Sequence, residues 1–221
     1  MKIYKDLVQG TDEWKLVKWG KIGGSTANAL MTKLDKPITE CSAFWSIMAE
    51  RMEEFDPFNE SFKSFSMQRG NELEPYARKE YERITELHVE QYGWVELENG
   101  TVGISPDGWM PDQKKSIEIK CPEGQTHAKY MNDFGLFLTE YAWQIVHNFL
   151  VLGVESVDCI SYRPENKINP IIIHTVTADT IIEINKKMIL PISDLVGIER
   201  DRLSELEVKI NEFLENQQIK F

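Results

Sequence analysis

The chain has 221 residues, of which 42% are hydrophobic, 28% charged and 10% aromatic, a make-up that excludes disordered, collagen-like and membrane-embedded classes. No apolar run reaches the ~18 residues needed to span a bilayer, residues 1–6 carry no signal-peptide core, and the three cysteines lack a CxxC spacing, so a reduced cytosolic setting is expected. The net charge of −11 argues against indiscriminate binding to a polyanion. Residues 1–35 nevertheless hold six Lys against four acids, so any nucleic-acid contact is expected at a local basic site, with metal ions offsetting nearby carboxylates.

No repeat or linker divides the sequence, and residues 1–221 read as a single domain. Thr39 is expected to cap a helix reaching about Phe55, with Phe44, Met48, Met52 and Phe55 on one face. A second helical pattern runs from near Ser66 to about Leu87 and turns Leu73, Ala77, Tyr81 and Ile84 inward. Pro75 either starts a separate helix there or kinks this one. The period then changes. Residues 88–98 and 101–110 read as two strands around Asn99-Gly100, a hairpin signal. Pro111-Asp112 turns the chain into a third strand at Ser116–Cys121. Thr139 is expected to cap a helix to about Leu152, closed by a left-handed Gly153. Two strands follow near 155–163 and 170–177, then a helical tail that starts near Asp179, breaks at Pro191 and resumes to about Glu215. The pattern indicates an α/β fold, a central mixed sheet flanked by helices.

The sharpest chemical constellation is Ser105-Pro106-Asp107-Gly108 followed by Ile117-Glu118-Ile119-Lys120-Cys121-Pro122. Alternate side chains on a strand share a face, so Glu118 and Lys120 point one way while Ile117 and Ile119 point to the core. Asp107 on the neighbouring strand is placed to converge on Glu118. Two carboxylates and the backbone carbonyl of Ile119 supply hard oxygen ligands of the kind Mg²⁺ prefers. A Lys beside such an ion, its pKa lowered by burial and by the metal charge, orients or deprotonates a water. The competing reading is an exposed strand whose Glu–Lys pair contributes ~0–1 kcal/mol.

Flanking blocks add context. Gln9-Gly10-Thr11-Asp12-Glu13-Trp14 and Gly20-Lys21-Ile22-Gly23-Gly24-Ser25 resemble the opening of the bacteriophage lambda-exonuclease (YqaJ-type viral recombinase) family. Gly70-Asn71-Glu72-Leu73-Glu74-Pro75 resembles its next motif, the Asp107 and Glu118 segments its metal site, and Tyr141-Ala142-Trp143-Gln144 its last. The resemblance implies a restriction-endonuclease-like core with a PD-(D/E)xK site. In it Asp107, Glu118 and the Ile119 carbonyl would hold Mg²⁺ (or Mn²⁺), two ions per site. Lys120 would position the attacking water, Glu74 would sit near the second metal or the water network, and Gln144 would complete the site. Lys18 and Ser25, joined by Ser105, match positions that grip a terminal 5′-phosphate. Lys18 stands where the family commonly has Arg, and Lys lacks the bidentate fork.

The resemblance further implies 5′→3′ digestion of linear duplex DNA to 5′-mononucleotides, leaving 3′ single-stranded tails. It implies a ring-shaped homotrimer, a single-strand annealing protein as partner, and a phage or prophage protein at work in the bacterial cytoplasm, with no membrane role. An endonuclease or nickase on the same core is the nearer alternative. A non-catalytic acidic DNA mimic is the farther one, and it leaves the Asp107, Glu118 and Lys120 cluster without a purpose.

Overall fold

A computed structural model describes residues 1–57, 65–184 and 188–218. The chain opens with β1 (Lys2–Tyr4), α1 (Asp12–Lys18) and α2 (Gly24–Met31). Thr11 caps α1 through its hydroxyl, and Gly23 is the N-cap of α2. The helix expected from Thr39 begins later. Thr39 lies in a short 3-10 turn, Ile38–Glu40, and α3 (Ser42–Met52) starts after Cys41. Phe44 and Met48 are buried on α3, whereas Met52 is 55% exposed. The next helix, α4 (Phe65–Thr85), runs through Pro75 without ending, so the proline belongs to one helix rather than starting another. Ala77 and Tyr81 are fully buried, while Ile84 faces outward.

The expected hairpin at Asn99-Gly100 joins β2 (Trp94–Glu96) to β3 (Gly103–Ile104), and both strands are shorter than anticipated. Pro106 lacks the N–H a ladder needs, and beyond it the chain leaves this sheet. It re-forms as β4 (Gly108–Met110) in a second sheet with β5 (Lys115–Lys120). A 3-10 turn at Pro111–Gln113 and a left-handed Lys114 reverse the chain between them. Helices α5 (Gly124–Asn132), α6 (Gly135–Glu140) and α7 (Ala142–Leu152) then carry it across to β6 (Ser156–Tyr162), parallel to β5. Thr139 falls inside α6, its hydroxyl donating to Glu183 O, and α7 starts at Ala142 after Tyr141. Gly153 ends α7 at φ +63°, as its position predicts. β7 (Ile171–Thr177) closes the sheet antiparallel to β6.

The described residues of this stretch, 179–184 and 188–191, hold a pair of antiparallel strands, not a helical tail. β8 (Ile181–Ile184) pairs with β9 (Met188–Pro191), and α8 (Ile192–Gln218) follows. In β8 Ile182 and Ile184 are buried while Ile181 is exposed, a two-residue alternation. Among the described residues three sheets form, with orders β1-β2-β3, β4-β5-β6-β7 and β8-β9. The four-stranded sheet is mixed, as the sequence pattern indicates. Its β5 packs Ile117 and Ile119 with Ala77, Tyr81, Val89 and Ile160 in a small core beneath α4. A larger core joins α2, α3, α7 and α8. No helix among the described residues is long and apolar enough to cross a membrane.

Candidate active site

The antiparallel pairing of Gly108 with Ile117, carried one residue further, sets Asp107 opposite Glu118. Only glycine fits at 108, because a Cβ there would lie 2.2 Å from Val89 Cγ1 and 2.8 Å from Ile117 Cδ1. That close approach lets Asp107 Oδ2 accept the Ile119 N–H at 2.6 Å. Glu118 shares Oε1 with the Lys120 ammonium at 2.6 Å, and its Oε2 accepts from Asn148 Nδ2 at 3.1 Å. Asn148 also donates to Gln144 O and accepts from Ser116 Oγ, so α7 clamps Glu118 against the sheet. From α4, Arg78 donates to Asp107 O at 2.8 Å and to Glu74 Oε1 at 2.5 Å.

Glu74, Asp107, Glu118 and Lys120 line one cavity of about 560 Å³, whose lining holds every site residue named from the sequence: Lys18, Ser25, Glu74, Ser105, Asp107, Glu118, Ile119, Lys120 and Gln144. Sequence reasoning passes over Arg78 and Asn148. Each stands one helical turn beyond a named residue, Glu74 and Gln144, so the i,i+4 spacing was the available signal. It also passes over Tyr141 as a neighbour of Lys120, whose ammonium lies 4.9 Å from the ring centroid.

The electrostatics of the cavity are those of crowded carboxylates. Burial raises the Asp107 carboxyl well above its ordinary 3.8, and the charges of Glu118 and Glu74 raise it further. Glu74 is raised by burial against the pull of Arg78 and Lys120. Lys120 departs from expectation. Burial works to lower its pKa, but the Glu118 and Asp107 carboxylates outweigh burial and hold the ammonium above its ordinary value. In the protein by itself Lys120 is therefore a fixed cation that donates hydrogen bonds, not a base. Burial, with the Glu74 and Asp107 charges, pushes the adjacent Cys121 thiol up to about 12, which leaves it unreactive.

Among the described residues, no three His, Cys, Asp or Glu side chains gather into a ligand set of their own. The donors present are carboxylate and carbonyl oxygens whose mutual repulsion a hard cation relieves. They suit an Mg²⁺-class ion, which keeps several waters and takes one or two carboxylates with substrate phosphates, and they do not suit zinc.

The far end of the cavity is built by α1 and α2. Trp14 and Lys18 are four residues apart on α1, and the Lys18 ammonium lies 3.7 Å from the Trp14 ring centroid and 5.5 Å from that of Trp94. Burial lowers Lys18 to about 8, only partly opposed by Glu50. It is not a freely solvated surface charge. Ser25 sits in the first turn of α2, where unpaired amides favour an anion. The Ser105 hydroxyl donates to Gly93 O at 2.7 Å and accepts from Trp14 Nε1 at 2.9 Å. Its proton is already engaged, and it braces Trp14 beside Lys18.

The family model described as a YqaJ-like viral recombinase domain matches residues 13–155, a stretch that holds all of these residues. The fold is similar to that of an alkaline exonuclease (LHK-Exo) from Laribacter hongkongensis, at 27% identity and a TM-score of 0.71 over 95% of this chain and 99% of that one. LHK-Exo in complex with dAMP matches over the same shares, at 26% identity and a TM-score of 0.71. A phage related exonuclease from Haemophilus somnus 129PT shares the fold at 13% identity and a TM-score of 0.63, over 89% of this chain and 96% of that one. No curated protein matches the chain. On the family match the chain belongs to the YqaJ-like viral recombinase domain family.

Proposed function

We propose that the protein is a divalent-cation-dependent deoxyribonuclease of the lambda-exonuclease type. It digests the 5′-ended strand of linear duplex DNA in the 5′→3′ direction, releases 5′-mononucleotides and leaves 3′ tails for phage-type recombination. The observation that carries this reading is that one cavity holds both the Asp107, Glu118 and Lys120 cluster and the Lys18 and Ser25 cluster. Hydrolytic groups and a phosphate-gripping end thus share one cleft.

Asp107, Glu118 and the Ile119 carbonyl would hold Mg²⁺ or Mn²⁺, as two ions per site. When bound, these ions stabilise charge on the attacking and leaving oxygens. Lys120, fixed by Glu118 and the face of Tyr141, donates a hydrogen bond to the attacking water and orients it. Glu74 is tied to Arg78 through one oxygen, which leaves the other for the second metal or the water network. Gln144 contacts the substrate backbone from the first turn of α7. Lys18 and Ser25 bind the terminal 5′-phosphate, with Ser105 holding Trp14 in place. A trimeric ring, a single-strand annealing partner and the cytoplasm of a phage-carrying bacterium complete the reading. A ring also reconciles the net charge of −11 with a DNA substrate, because contacts are confined to its channel.

The pH dependence tests it. Lys18 is charged below about 8 and loses its proton above that value; a bound phosphate dianion holds the proton and shifts the loss upward. The ratio of kcat/KM for 5′-phosphorylated over 5′-hydroxyl linear duplex should therefore fall as pH rises from 7 to 9.5. A charge-assisted hydrogen bond of ~1.5–3 kcal/mol makes that ratio about ten- to hundredfold at pH 7. Lys18→Ala should leave it small and flat with pH, and covalently closed circles should survive in every arm. Digestion of the closed circle would contradict end dependence, and an unchanged ratio in Lys18→Ala would remove Lys18 from the phosphate site.

A further inference from the structure

The cleft does not stop at Lys18. A second cavity of about 590 Å³ lies on its other side, and Trp14, Lys18, Gly23 and Ser25 line both. That volume is within the roughly 300–1,000 Å³ of small-molecule sites. Gly23 forms part of the partition, and a Cβ there would make ordinary contacts, 3.6 Å from Trp94 and 3.9 Å from Lys18 Cε. The rest of it is Trp14, Ser25 and the flexible stem of Lys18. Lys15 pairs with Asp12 and Lys21 with Glu96. Among the described residues Lys18 has no carboxylate within ion-pair distance, only the two indole faces. It is the free cation at the junction.

Beyond Lys18 the wall of the second cavity sets two aromatic rings, Trp19 and Phe55, among the acids Glu50, Glu53 and Asp56. Trp19 and Phe55 meet edge to face with centroids 5.4 Å apart, and Trp19 is anchored by its Nε1 to Glu53 O at 3.1 Å. A pinned aromatic surface one side chain away from a phosphate-binding cation is the arrangement that holds a single-stranded nucleotide by its base and its phosphate.

We propose that this cavity is a subsite for an unpaired nucleotide on the 5′ side of the phosphate site, so that the enzyme accepts and trims 5′ single-stranded extensions. The inference rests on the exonuclease reading above and names a further substrate class for it. With a blunt end, Lys18 and Ser25 hold a terminal phosphate and the product is a mononucleotide. With an extension, the terminal base stands against Trp19 and Phe55, and a phosphodiester takes the place of the terminal phosphate at Lys18. The bond then cut lies one nucleotide further in. Water oxygen bonds to the scissile phosphorus, the P–O3′ bond breaks, and one water proton ends on the departing O3′. The released fragment is a dinucleotide with a 3′-hydroxyl, and the retained strand carries the new 5′-phosphate.

The test compares a blunt duplex with the same duplex bearing three unpaired 5′ thymidines. Both carry a 5′-³²P label and are digested by the full chain with Mg²⁺, and the first labelled products are resolved on a denaturing gel. Ala49 and Ser46 on α3 line the second cavity and not the first, so Ala49→Trp plugs it, and the exposed Ser46→Trp is a second plug should the first misfold. The expected result is labelled dinucleotide from the extended substrate with wild type. A plug should lower the extended-to-blunt rate ratio at least about tenfold, in line with loss of a stacked base. Blunt ends digested while the extended strand yields only labelled mononucleotide would overturn this inference alone. A ratio unmoved by a folded plug variant would do the same. No digestion of the blunt duplex would overturn the exonuclease reading and this one with it.

Discussion

Asp107→Asn is expected to abolish digestion of linear duplex while making the metal-free protein more stable. The activity loss should be on the order of 10³-fold, the scale on which removal of one preorganised electrostatic group acts. The gain in stability follows from the position of Asp107, buried among Glu118 and Glu74 with its pKa raised well above 3.8. A group whose folded pKa is raised keeps its full contribution below the unfolded value and loses it as pH rises through the folded value. Wild type should thus match Asp107→Asn near pH 3 and fall behind it toward neutrality. The asparagine amide oxygen still accepts the Ile119 N–H, so the strand geometry survives. Lys120→Ala should lose activity to a similar extent but move stability the other way, since Lys120 is the ammonium that opposes the repulsion of Asp107 and Glu118. Urea denaturation in EDTA checks both signs. A destabilised Asp107→Asn would mean that its carboxylate is better satisfied than the crowding indicates.

The largest stability loss is expected from Glu199→Ala. Glu199 on α8 and His147 on α7 are both fully buried, with His147 Nδ1 2.7 Å from Glu199 Oε1 and Nε2 2.9 Å from Gly103 O. The Gly103 carbonyl can only accept, so Nε2 carries a proton, and Nδ1 faces the Glu199 carboxyl. Burial alone would lower its pKa, but the Glu199 charge and hydrogen bond outweigh burial and raise it. Deleting one member of a buried ion pair strands the other and costs about 3–5 kcal/mol. Glu199→Gln should be milder, because its amide can donate to a neutral ring. The wild-type pair stabilises fully below the unfolded His value near 6.5 and less as pH rises through the raised folded value, and Glu199→Gln should lose that slope. Denaturation midpoints at pH 6 and 9 measure it; a loss below about 1 kcal/mol in Glu199→Ala would show that the pair is replaceable. The pair also matters to the site. His147 lies one turn after Gln144, its ring would be 3.6 Å from a Cβ at Gly24, and Gly103 is two residues from Ser105. A helix outside the family-matched stretch thus braces the helix that clamps Glu118.

The strand of the candidate active site was legible in the sequence because Ile117-Glu118-Ile119-Lys120 alternates with a period of two and a strand enforces that period. Gly153 was legible because a left-handed cap favours one residue type. The tail was misread because Ile181, Ile184 and Met188 repeat at helical spacing, although the β-branched run Ile181-Ile182-Glu183-Ile184 carries the strand signal that the fold obeys. His147 reads as core or surface filler in sequence, since its partner is 52 residues away and no local pattern links them. Arg78 and Asn148 act on residues far along the chain, on Asp107 and Glu118, and only the folded chain reveals them. The raised pKa of Lys120 was hidden for the same reason. Local sequence indicates burial, but the two carboxylates that overrule it are placed by strand pairing.

Everything in the proposed chemistry turns on Asp107 and Glu118 serving as a divalent-cation site. Calorimetric titration of the full chain with Mn²⁺ tests this without any nuclease assay. The account predicts saturable binding in wild type that is lost in Asp107→Asn with the fold intact by circular dichroism. Absence of binding in wild type, or equal binding in the variant, would contradict it.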